Sequence, residues 1–311
     1  MNALSCMRIR NLVGLSLLWA LLAVAGLSCT GTELGPVPGP LPKYEAVDIQ
    51  PAWSPTSDWI AFVHSGDETD HFETILLIRP DGSESEKIVN WGHEPDWSPQ
   101  GDRIMYLDGW DGLSTKVYDL ASDSTWILFP RGRVFSVDWS PDGSKVAGVR
   151  SADGTPDICV SDLETLQCRW FGPGDEPDWS PDGSELLCLW DGICIMDSSG
   201  AGRRQVVSYR SGDPQFLDAH WHPDGGRIVF SQFDWDLWDW RTWLVNADGT
   251  GLRCLGSGTD PAWSPSGEQI VFADDVPEGS WKSVRLWIMN ADGTGRRQLT
   301  FPDTTQVVRS Q

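Results

Sequence analysis

Residues 177–183 read Pro-Asp-Trp-Ser-Pro-Asp-Gly, and the chain repeats this phrase with small changes. The tryptophans of the repeated phrase are Trp53, Trp97, Trp139, Trp179, Trp221 and Trp263. Successive members of this set are 44, 42, 40, 42 and 42 residues apart. A fixed period of about 40–50 residues is typical of propeller architectures, in which each repeat forms one small sheet. The spacing therefore predicts one repeat domain rather than several unrelated domains.

Each part of the phrase has a local structural role. Pro181 fixes φ and lacks an N–H, so it ends the strand that carries Trp179. Asp182-Gly183 supplies a turn, and the apolar run at 186–188 suits a buried strand. A buried Trp removes roughly 150–250 Å² from water, worth about 4–6 kcal/mol before entropy is counted. We therefore expect the motif tryptophans to be core residues, with direct ligand contact as the alternative.

Each repeat contains four strand-like pieces. In the last repeat they are residues 260–263, 269–273, 284–290 and 296–300. Six repeats of four strands predict an all-β fold, a six-bladed β-propeller of four-stranded antiparallel blades, over residues 44–303, with a C-terminal tail at 304–311. Residues 44–49 precede the first motif, and they could pair with the last blade and clasp the ring.

The N-terminus has the parts of an export signal. Arg8 and Arg10 precede an apolar stretch at 12–27, so residues 1–28 are predicted to be a signal peptide. The sequence around Cys29 resembles a bacterial lipoprotein signal, which implies lipidation of Cys29. Ordinary cleavage and an uncleaved anchor are the alternatives. Residues 29–43, with alternating prolines, predict a stiff tether. Each alternative places the protein outside the cytoplasm, in the periplasm or at the cell surface.

The charge of the chain excludes one class of partner. The formal net charge is -22, and after removal of residues 1–28 there are 21 basic against 45 acidic residues. Such a surface repels phosphate backbones, so we expect no nucleic-acid binding.

The repeats also resemble a known family. The phrase Pro-x-Trp-Ser-Pro-Asp-Gly, an apolar strand, and a turn of the type Asn290-Ala291-Asp292-Gly293 before Arg296-Arg297-Gln298-Leu299-Thr300 are similar to TolB-like, WD40-like propeller repeats. The resemblance covers about 250 residues of the chain. It implies the fold, but it leaves the function open, because the family includes periplasmic protein-binding propellers and propellers attached to peptidases, and related repeats occur in polysaccharide lyases.

Strand order predicts which loops share a face. First-to-second and third-to-fourth connections lie on one face. We call it the basic face after Lys145, Arg203, Arg204, Arg227, Arg253, Arg296 and Arg297. The other connections lie on what we call the acidic face, after Asp67, Glu68, Asp70, Asp108, Asp111, Asp153, Asp191, Asp234, Asp236, Asp239, Asp274 and Asp275.

A ring of polar residues is predicted near the mouth of the central channel on the acidic face. The residues three before each motif Trp are Gln50, Glu94, Ser136, Glu176, Asp218 and Asp260. The four acids, Glu94, Glu176, Asp218 and Asp260, could bind a cation, an amine or a basic peptide end. The alternative is that they cap strand ends or bond neighbouring blades.

The acidic face also carries an aromatic loop. Residues 233–243 read Phe-Asp-Trp-Asp-Leu-Trp-Asp-Trp-Arg-Thr-Trp. The candidate ligand-binding residues in it are Trp235, Trp238, Trp240, Asp234, Asp236 and Asp239, and Trp110 and Trp281 occupy corresponding loops. Aromatic anchors rimmed by polar groups suit protein interfaces and sugar rings. Rings that fold back onto the propeller are the alternative.

Signs of catalysis are weak. No G-x-S-x-G elbow is present. His220 and His222 are two residues apart on a predicted strand, so they could share a metal, as in a lyase related to oligogalacturonate lyases. Calcium on the acidic loops is a further alternative, but otherwise we expect no cofactor. The pairs Cys159–Cys168 and Cys188–Cys194 could form disulfides or remain free thiols, and Cys254 has no partner in this scheme.

Together these patterns predict an exported propeller, anchored to the membrane only by an N-terminal lipid. We expect a monomer that binds a protein or peptide, or a carbohydrate, through its acidic, Trp-rich face rather than one that catalyses a reaction. The alternatives are a metal-assisted polysaccharide lyase or another carbohydrate-active propeller, and a purely structural cell-surface protein.

Overall fold

A computed structural model of the protein describes residues 44–66, 73–109, 114–130, 134–151, 155–208, 216–278 and 281–302. The predicted signal peptide, the tether, Cys29 and the tail at 304–311 lie outside the described residues. Within the described ranges, no helix is both long enough and apolar enough to cross a membrane.

The described residues form 24 strands in chain order. They are β1 (Tyr44–Trp53), β2 (Ile60–Ser65), β3 (Glu73–Ile78), β4 (Ser85–Asn90), β5 (Gly92–Trp97), β6 (Arg103–Asp108), β7 (Ser114–Asp119), β8 (Ser124–Phe129), β9 (Phe135–Trp139), β10 (Lys145–Ser151), β11 (Pro156–Asp162), β12 (Cys168–Pro173), β13 (Asp175–Trp179), β14 (Glu185–Leu189), β15 (Gly192–Asp197), β16 (Arg204–Ser208), β17 (Phe216–Trp221), β18 (Arg227–Asp234), β19 (Asp239–Asn246), β20 (Arg253–Ser257), β21 (Thr259–Trp263), β22 (Gln269–Glu278), β23 (Trp281–Asn290) and β24 (Arg297–Gln298).

These strands assemble in sequence order. Strands β5–β8, β9–β12, β13–β16 and β17–β20 form four separate four-stranded antiparallel sheets. Strands β1–β4 and β21–β24 form one eight-stranded sheet, because β1 pairs in parallel with β23. The prediction of an all-β propeller with four-stranded antiparallel blades is confirmed. The predicted pairing of residues 44–49 with the last repeat is also observed, at Tyr44 with Lys282 and Val47 with Val284.

The repeated phrase folds as a closed turn after each inner strand. In the fourth repeat, Ser180 Oγ donates to Asp182 Oδ1 at 2.7 Å and accepts from the N–H of Glu185 at 2.9 Å. The N–H of Gly183 donates to the carbonyl of Ser180 at 2.8 Å, and Gly183 has a φ of 70°. Glycine is needed here because other side chains strain this left-handed conformation. The phrase therefore encodes the turn between the first and second strands of a repeat.

The hydrophobic core lies between successive sheets. Trp97, for example, packs with Ala61, Ile75 and Leu77 of the preceding repeat. Trp97, Trp179, Trp221 and Trp263 are buried, whereas Trp53 and Trp139 are partly buried. The motif tryptophans are therefore packing residues, as expected.

Arginines on the basic face join neighbouring repeats. Arg204 donates to the carbonyl of Ala247 at 2.6 Å, and Arg297 donates to the carbonyl of Pro80 at 2.6 Å. Arg253 likewise reaches Asp292 O at 3.0 Å. Each acceptor lies in the third-to-fourth-strand turn of the next repeat, so these cations hold adjacent turns together.

Candidate functional site

The predicted polar ring lies at a bulge in each inner strand. Its six members have φ values between 47° and 52°, and the pairing register shifts around them. Non-glycine residues seldom adopt this conformation. Because this conformation recurs at the same position in all six repeats, the bulge is a regular feature of the inner strand.

Most members of the ring bond the next repeat. The N–H of Glu94 donates to Gln50 Oε1 at 3.0 Å, and the N–H of Asp218 donates to Glu176 Oε2 at 2.7 Å. Glu94 in turn accepts from Ser136. The first and sixth repeats are joined in the same way, because the N–H of Gln50 donates to Asp260 Oδ2 at 3.0 Å. These side chains therefore bond neighbouring repeats, which is the structural role weighed for them above.

A second tier of carboxylates, which the sequence patterns did not predict, lies one residue before three of the motif tryptophans. Asp96 accepts from the N–H of Trp139 at 3.0 Å, and Asp138 accepts from the N–H of Trp179 at 2.6 Å. Asp178 accepts from the N–H of Trp221 at 2.8 Å. The signal was present as a recurring Asp-Trp pair in three repeats.

These carboxylates influence one another. Burial, with a smaller contribution from Asp175, raises the pKa of Glu94 to about 7. Burial, with a contribution from Asp178, raises the pKa of Asp96 to about 7. Burial also raises the pKa of Asp138, with Asp178 and Asp96 adding to it. Burial is therefore the main cause of the raised pKa values in both tiers, and neighbouring carboxylates add to it.

The two candidate metal-ligating histidines have different partners. His220 Nδ1 lies 3.0 Å from Asp178 Oδ1 of the preceding repeat. His222 is buried, its Nε2 lies 3.1 Å from the carbonyl of Gly267 of the following repeat, and its ring meets the Trp263 ring edge-on at 4.5 Å. No group of three or more His, Cys, Asp or Glu side chains within the described residues has a metal-binding arrangement. A metal at His220 and His222 stays a prediction that this geometry does not support.

The aromatic loop is the tip of the β18–β19 hairpin. Pairing continues to Asp234 opposite Asp239. Asp234 Oδ1 accepts from the N–H of Asp236 at 3.0 Å and of Leu237 at 3.1 Å, which closes the turn. Trp238 has a φ of 51°, so its backbone turns back into β19. We call residues 233–240 the Trp hairpin tip.

The rings of the tip form one cluster. The buried Phe233 meets Trp235, Trp238 and Trp240 edge-on, with centroid separations of 4.8, 6.0 and 5.4 Å. Yet Trp235 is 47% exposed, and Leu237 and Trp238 are each 58% exposed. The rings therefore pack onto Phe233, as expected if they fold back onto the propeller. They also present a large apolar surface to solvent, as expected if they bind a ligand.

The remaining candidates are only partly described. Trp110 lies outside the described residues, and Trp281 is described only as the first backbone position of β23. Several of the acidic residues that were predicted to lie on the acidic face have a basic side chain beside them. Asp108 pairs with Lys116, Asp274 with Arg296, and Asp239 lies 3.8 Å from Arg241. Part of the negative charge is therefore neutralised within the chain.

The described cysteines are free thiols. Cys188 stands directly opposite Cys194 on β14 and β15, and the thiols of Cys159 and Cys168 are hydrogen-bonded. Burial raises the pKa of Cys188 to about 12.

Comparison with solved structures gives the same architecture. TolB from Acinetobacter baumannii is 19% identical with a TM-score of 0.64 over 80% of this chain and 62% of that chain. A protein assigned as TolB from Agrobacterium tumefaciens is 20% identical with a TM-score of 0.59 over 73% of this chain and 88% of that chain. An oligogalacturonate lyase in complex with manganese is 15% identical with a TM-score of 0.54 over 84% and 83%. These identities establish the fold alone.

This chain spans about three fifths of the length of the Acinetobacter protein. A search of curated proteins found no match. The family model described as the TolB beta propeller domain matches residues 80–308, well over half of the chain. The protein therefore belongs to the TolB β-propeller domain family.

Proposed function

We propose that this protein is an exported, six-bladed propeller that binds a protein or peptide partner and does not catalyse a reaction. The observation that carries the proposal is the Trp hairpin tip. Three large apolar side chains, Trp235, Leu237 and Trp238, are each about half exposed at one turn. Large aromatic side chains with a polar surround are the usual anchors of protein interfaces.

Two features favour six blades. Six motif tryptophans recur every 40–44 residues, and the bond from Gln50 to Asp260 links the first repeat to the sixth in the same way as the bonds from Glu94 and Asp218 link other repeats. In this proposal the eight-stranded sheet consists of two blades that β1 joins. The loops between second and third strands then lie around one rim, with the Trp hairpin tip among them.

Site-specific photo-crosslinking tests the binding surface. A photoreactive amino acid replaces Leu237 at the tip, or Leu252 in the third-to-fourth turn of the same repeat, which is 49% exposed. In the cells that produce the protein, we expect a discrete protein adduct from the Leu237 position and none from Leu252. Equal adducts at both positions, or none at Leu237, would exclude a partner at the tip and leave the purely structural alternative.

Export and anchoring have a separate test. The basic residues Arg8 and Arg10, the apolar stretch at 12–27 and Cys29 support a lipid anchor. We expect the wild-type protein in the membrane fraction with incorporated fatty acid, and Cys29→Ala in the soluble fraction. Membrane association that persists in Cys29→Ala would favour an uncleaved anchor instead.

A polysaccharide lyase is the enzymatic alternative. It has in its favour the structural similarity to a manganese-containing oligogalacturonate lyase, which extends only to the fold. Incubation of the protein with acidic oligosaccharides and manganese should then release unsaturated products, and the proposal made here expects none.

A further inference from the structure

Arginine side chains lie over the exposed tryptophans of the outer surface. The guanidinium carbon of Arg103 lies 5.6 Å from the ring centroid of Trp126, which is 40% exposed. Arg150 lies 5.3 Å from the ring centroid of Trp170. A cation over an indole face is attracted by the π electrons, and arginine also stacks there through its flat guanidinium.

In two arginine–indole contacts, the one at Trp126 and another at Trp59, the same arginine also reaches a carboxylate. Arg103 Nε donates to Asp119 at 3.3 Å while it covers Trp126. Arg79 lies 3.9 Å from the Trp59 centroid, and its Nε donates to Glu84 at 3.2 Å. The chain thus uses one three-part arrangement twice: an indole face, a carboxylate, and a guanidinium that contacts both.

The Trp hairpin tip has the first two parts of this arrangement. Trp235 and Trp238 stand at 89° to each other with centroids 5.4 Å apart, so the edge of one ring meets the face of the other. The exposed Asp236 lies between them in sequence, and within the described residues no cation covers either ring or pairs with Asp236. The third part, the guanidinium, is not supplied by any described part of this chain.

We propose that the partner supplies it, and that the tip binds an arginine-bearing peptide segment of another protein. This inference rests on the proposed function and names the chemistry of its partner. The guanidinium stacks on Trp235 or Trp238 and donates to Asp236, while Leu237 contacts the apolar stem of the arginine or a neighbouring side chain. The net charge of -22 attracts a basic segment and repels an acidic one.

Short synthetic peptides that differ at one position test this directly. One series carries arginine, and the matched series carries citrulline, which has nearly the same shape without the charge. Binding to the full-length protein is followed by the fluorescence anisotropy of the labelled peptide. We expect the arginine peptide to bind roughly 5- to 30-fold more tightly than the citrulline peptide. This ratio corresponds to one cation–π contact plus one exposed ion pair, both of which only arginine can make.

Variants locate the effect. In Trp235→Ala/Trp238→Ala the preference for arginine should fall to about one, and in Asp236→Asn it should fall part of the way. Trp170→Ala, which removes an exposed tryptophan elsewhere, should leave the preference unchanged. Equal binding of the two peptides by the wild-type protein, no detectable binding of the arginine peptide, or a preference that survives the double substitution would each overturn the inference.

The cross-linking experiment separates this inference from the function on which it rests. A protein adduct at Leu237 whose cross-linked segment contains arginine supports both. An adduct whose segment contains no arginine overturns the inference and leaves the proposed binding function standing. An adduct with an acidic segment would likewise overturn the inference and leave the proposed binding function standing.

Discussion

The backbone N–H of Gln50 donates to the carboxylate of Asp260 at 3.0 Å, although 210 positions separate the two residues. Two further contacts join the ends of the chain. Thr300 Oγ1 donates to Asp48 Oδ2 at 2.6 Å inside the core, and Arg297 reaches Pro80 O at the basic face. The first and last repeats are therefore held together at the channel, in the interior and at one rim. These bonds add to the parallel pairing of β1 with β23, which joins the first and last repeats through the backbone.

Thr300→Val tests the interior contact. Thr300 is fully buried, and its hydroxyl also accepts from the N–H of Leu286 at 3.0 Å. Valine has the same shape but leaves that N–H without its acceptor and removes one donor from the buried Asp48. We expect a loss of about 2–4 kcal/mol in the free energy of unfolding, measured in urea. Thr294→Val, at an exposed turn, should cost less than about 1 kcal/mol, and equal losses would contradict a closing role for Thr300.

The raised pKa values of Glu94 and Asp96 lead to a prediction of how the stability of the fold depends on pH. An acid whose pKa is higher in the folded protein than in the unfolded chain stabilises the fold when protonated, and this stabilisation is lost as the pH rises through the folded value. For Glu94 and Asp96 the loss occurs between about pH 4 and about pH 7. Hydrogen bonds from serines hold the pKa of Asp142 and Asp182 at about 2, so their contribution is constant above about pH 5. We therefore expect a higher Tm at about pH 5.5 than at pH 8.

Other titrating groups in the described structure act in both directions. Burial raises the pKa of Glu73 to about 7, which adds to the trend, whereas burial lowers the pKa of His93, which opposes it. Glu94→Gln isolates the channel contribution, because an amide keeps the shape without titrating. This variant should weaken the pH dependence by up to about 3 kcal/mol, and Glu164→Gln, at an exposed turn, should not change it. An unchanged slope in Glu94→Gln would show that other groups set the trend.

Local sequence patterns predicted the position of the polar ring but not the second tier of carboxylates. Glu94 could be placed by counting from Trp97, because the phrase fixes that spacing in each repeat. The partner of Asp96 is the N–H of Trp139, 43 positions away, and that contact depends on the angle between successive sheets. No local period encodes this angle.

Polar residues were also misleading at the strand ends. Residues 274 and 275 were predicted to be loop, yet β22 continues to Glu278. The strand can continue there because Asp274 accepts from Ser257 at 2.9 Å and pairs with Arg296, so its charge is compensated. For the Trp hairpin tip, composition predicted an unusual loop, but the role of Phe233 as the centre of the ring cluster required coordinates.

Trp97→Ala tests the packing role of the repeated phrase. Trp97 is 5% exposed, and its indole N–H donates to the carbonyl of Ala52 at 3.0 Å. We expect the substitution to cost about 3–5 kcal/mol in urea unfolding, because it opens a cavity between two sheets. Trp126→Ala, on the outer strand of the same repeat, should cost only about 1 kcal/mol. Similar losses for the two variants would argue that Trp97 is not a core residue.

His222 replaces the motif serine in the fifth repeat, and its ring lies where a side chain at Gly267 of the sixth repeat would be. Gly267 has a φ of 71°, and a Cβ there would lie 2.3 Å from His222 Nε2. Gly183 has nearly the same φ, 70°, but the nearest atom to its Cβ would be Pro141 Cδ at 3.7 Å. Gly183→Ala should therefore cost only the backbone strain of about 1–2 kcal/mol. Gly267→Ala should cost a further 1–3 kcal/mol or so, because the imidazole must move within a packed site.

Serine at position 222 should remove the obstacle, because the other repeats have serine there and no motif serine lies within 4 Å of a Cβ at Gly101, Gly183 or Gly225. In the background of His222→Ser, Gly267→Ala should cost no more than Gly183→Ala does in the wild-type protein. Urea unfolding of the two single variants and the double variant gives the coupling energy between the two positions. Additive losses would mean that the histidine ring has room to move, and that His222 is merely tolerated rather than matched by the glycine of the following repeat.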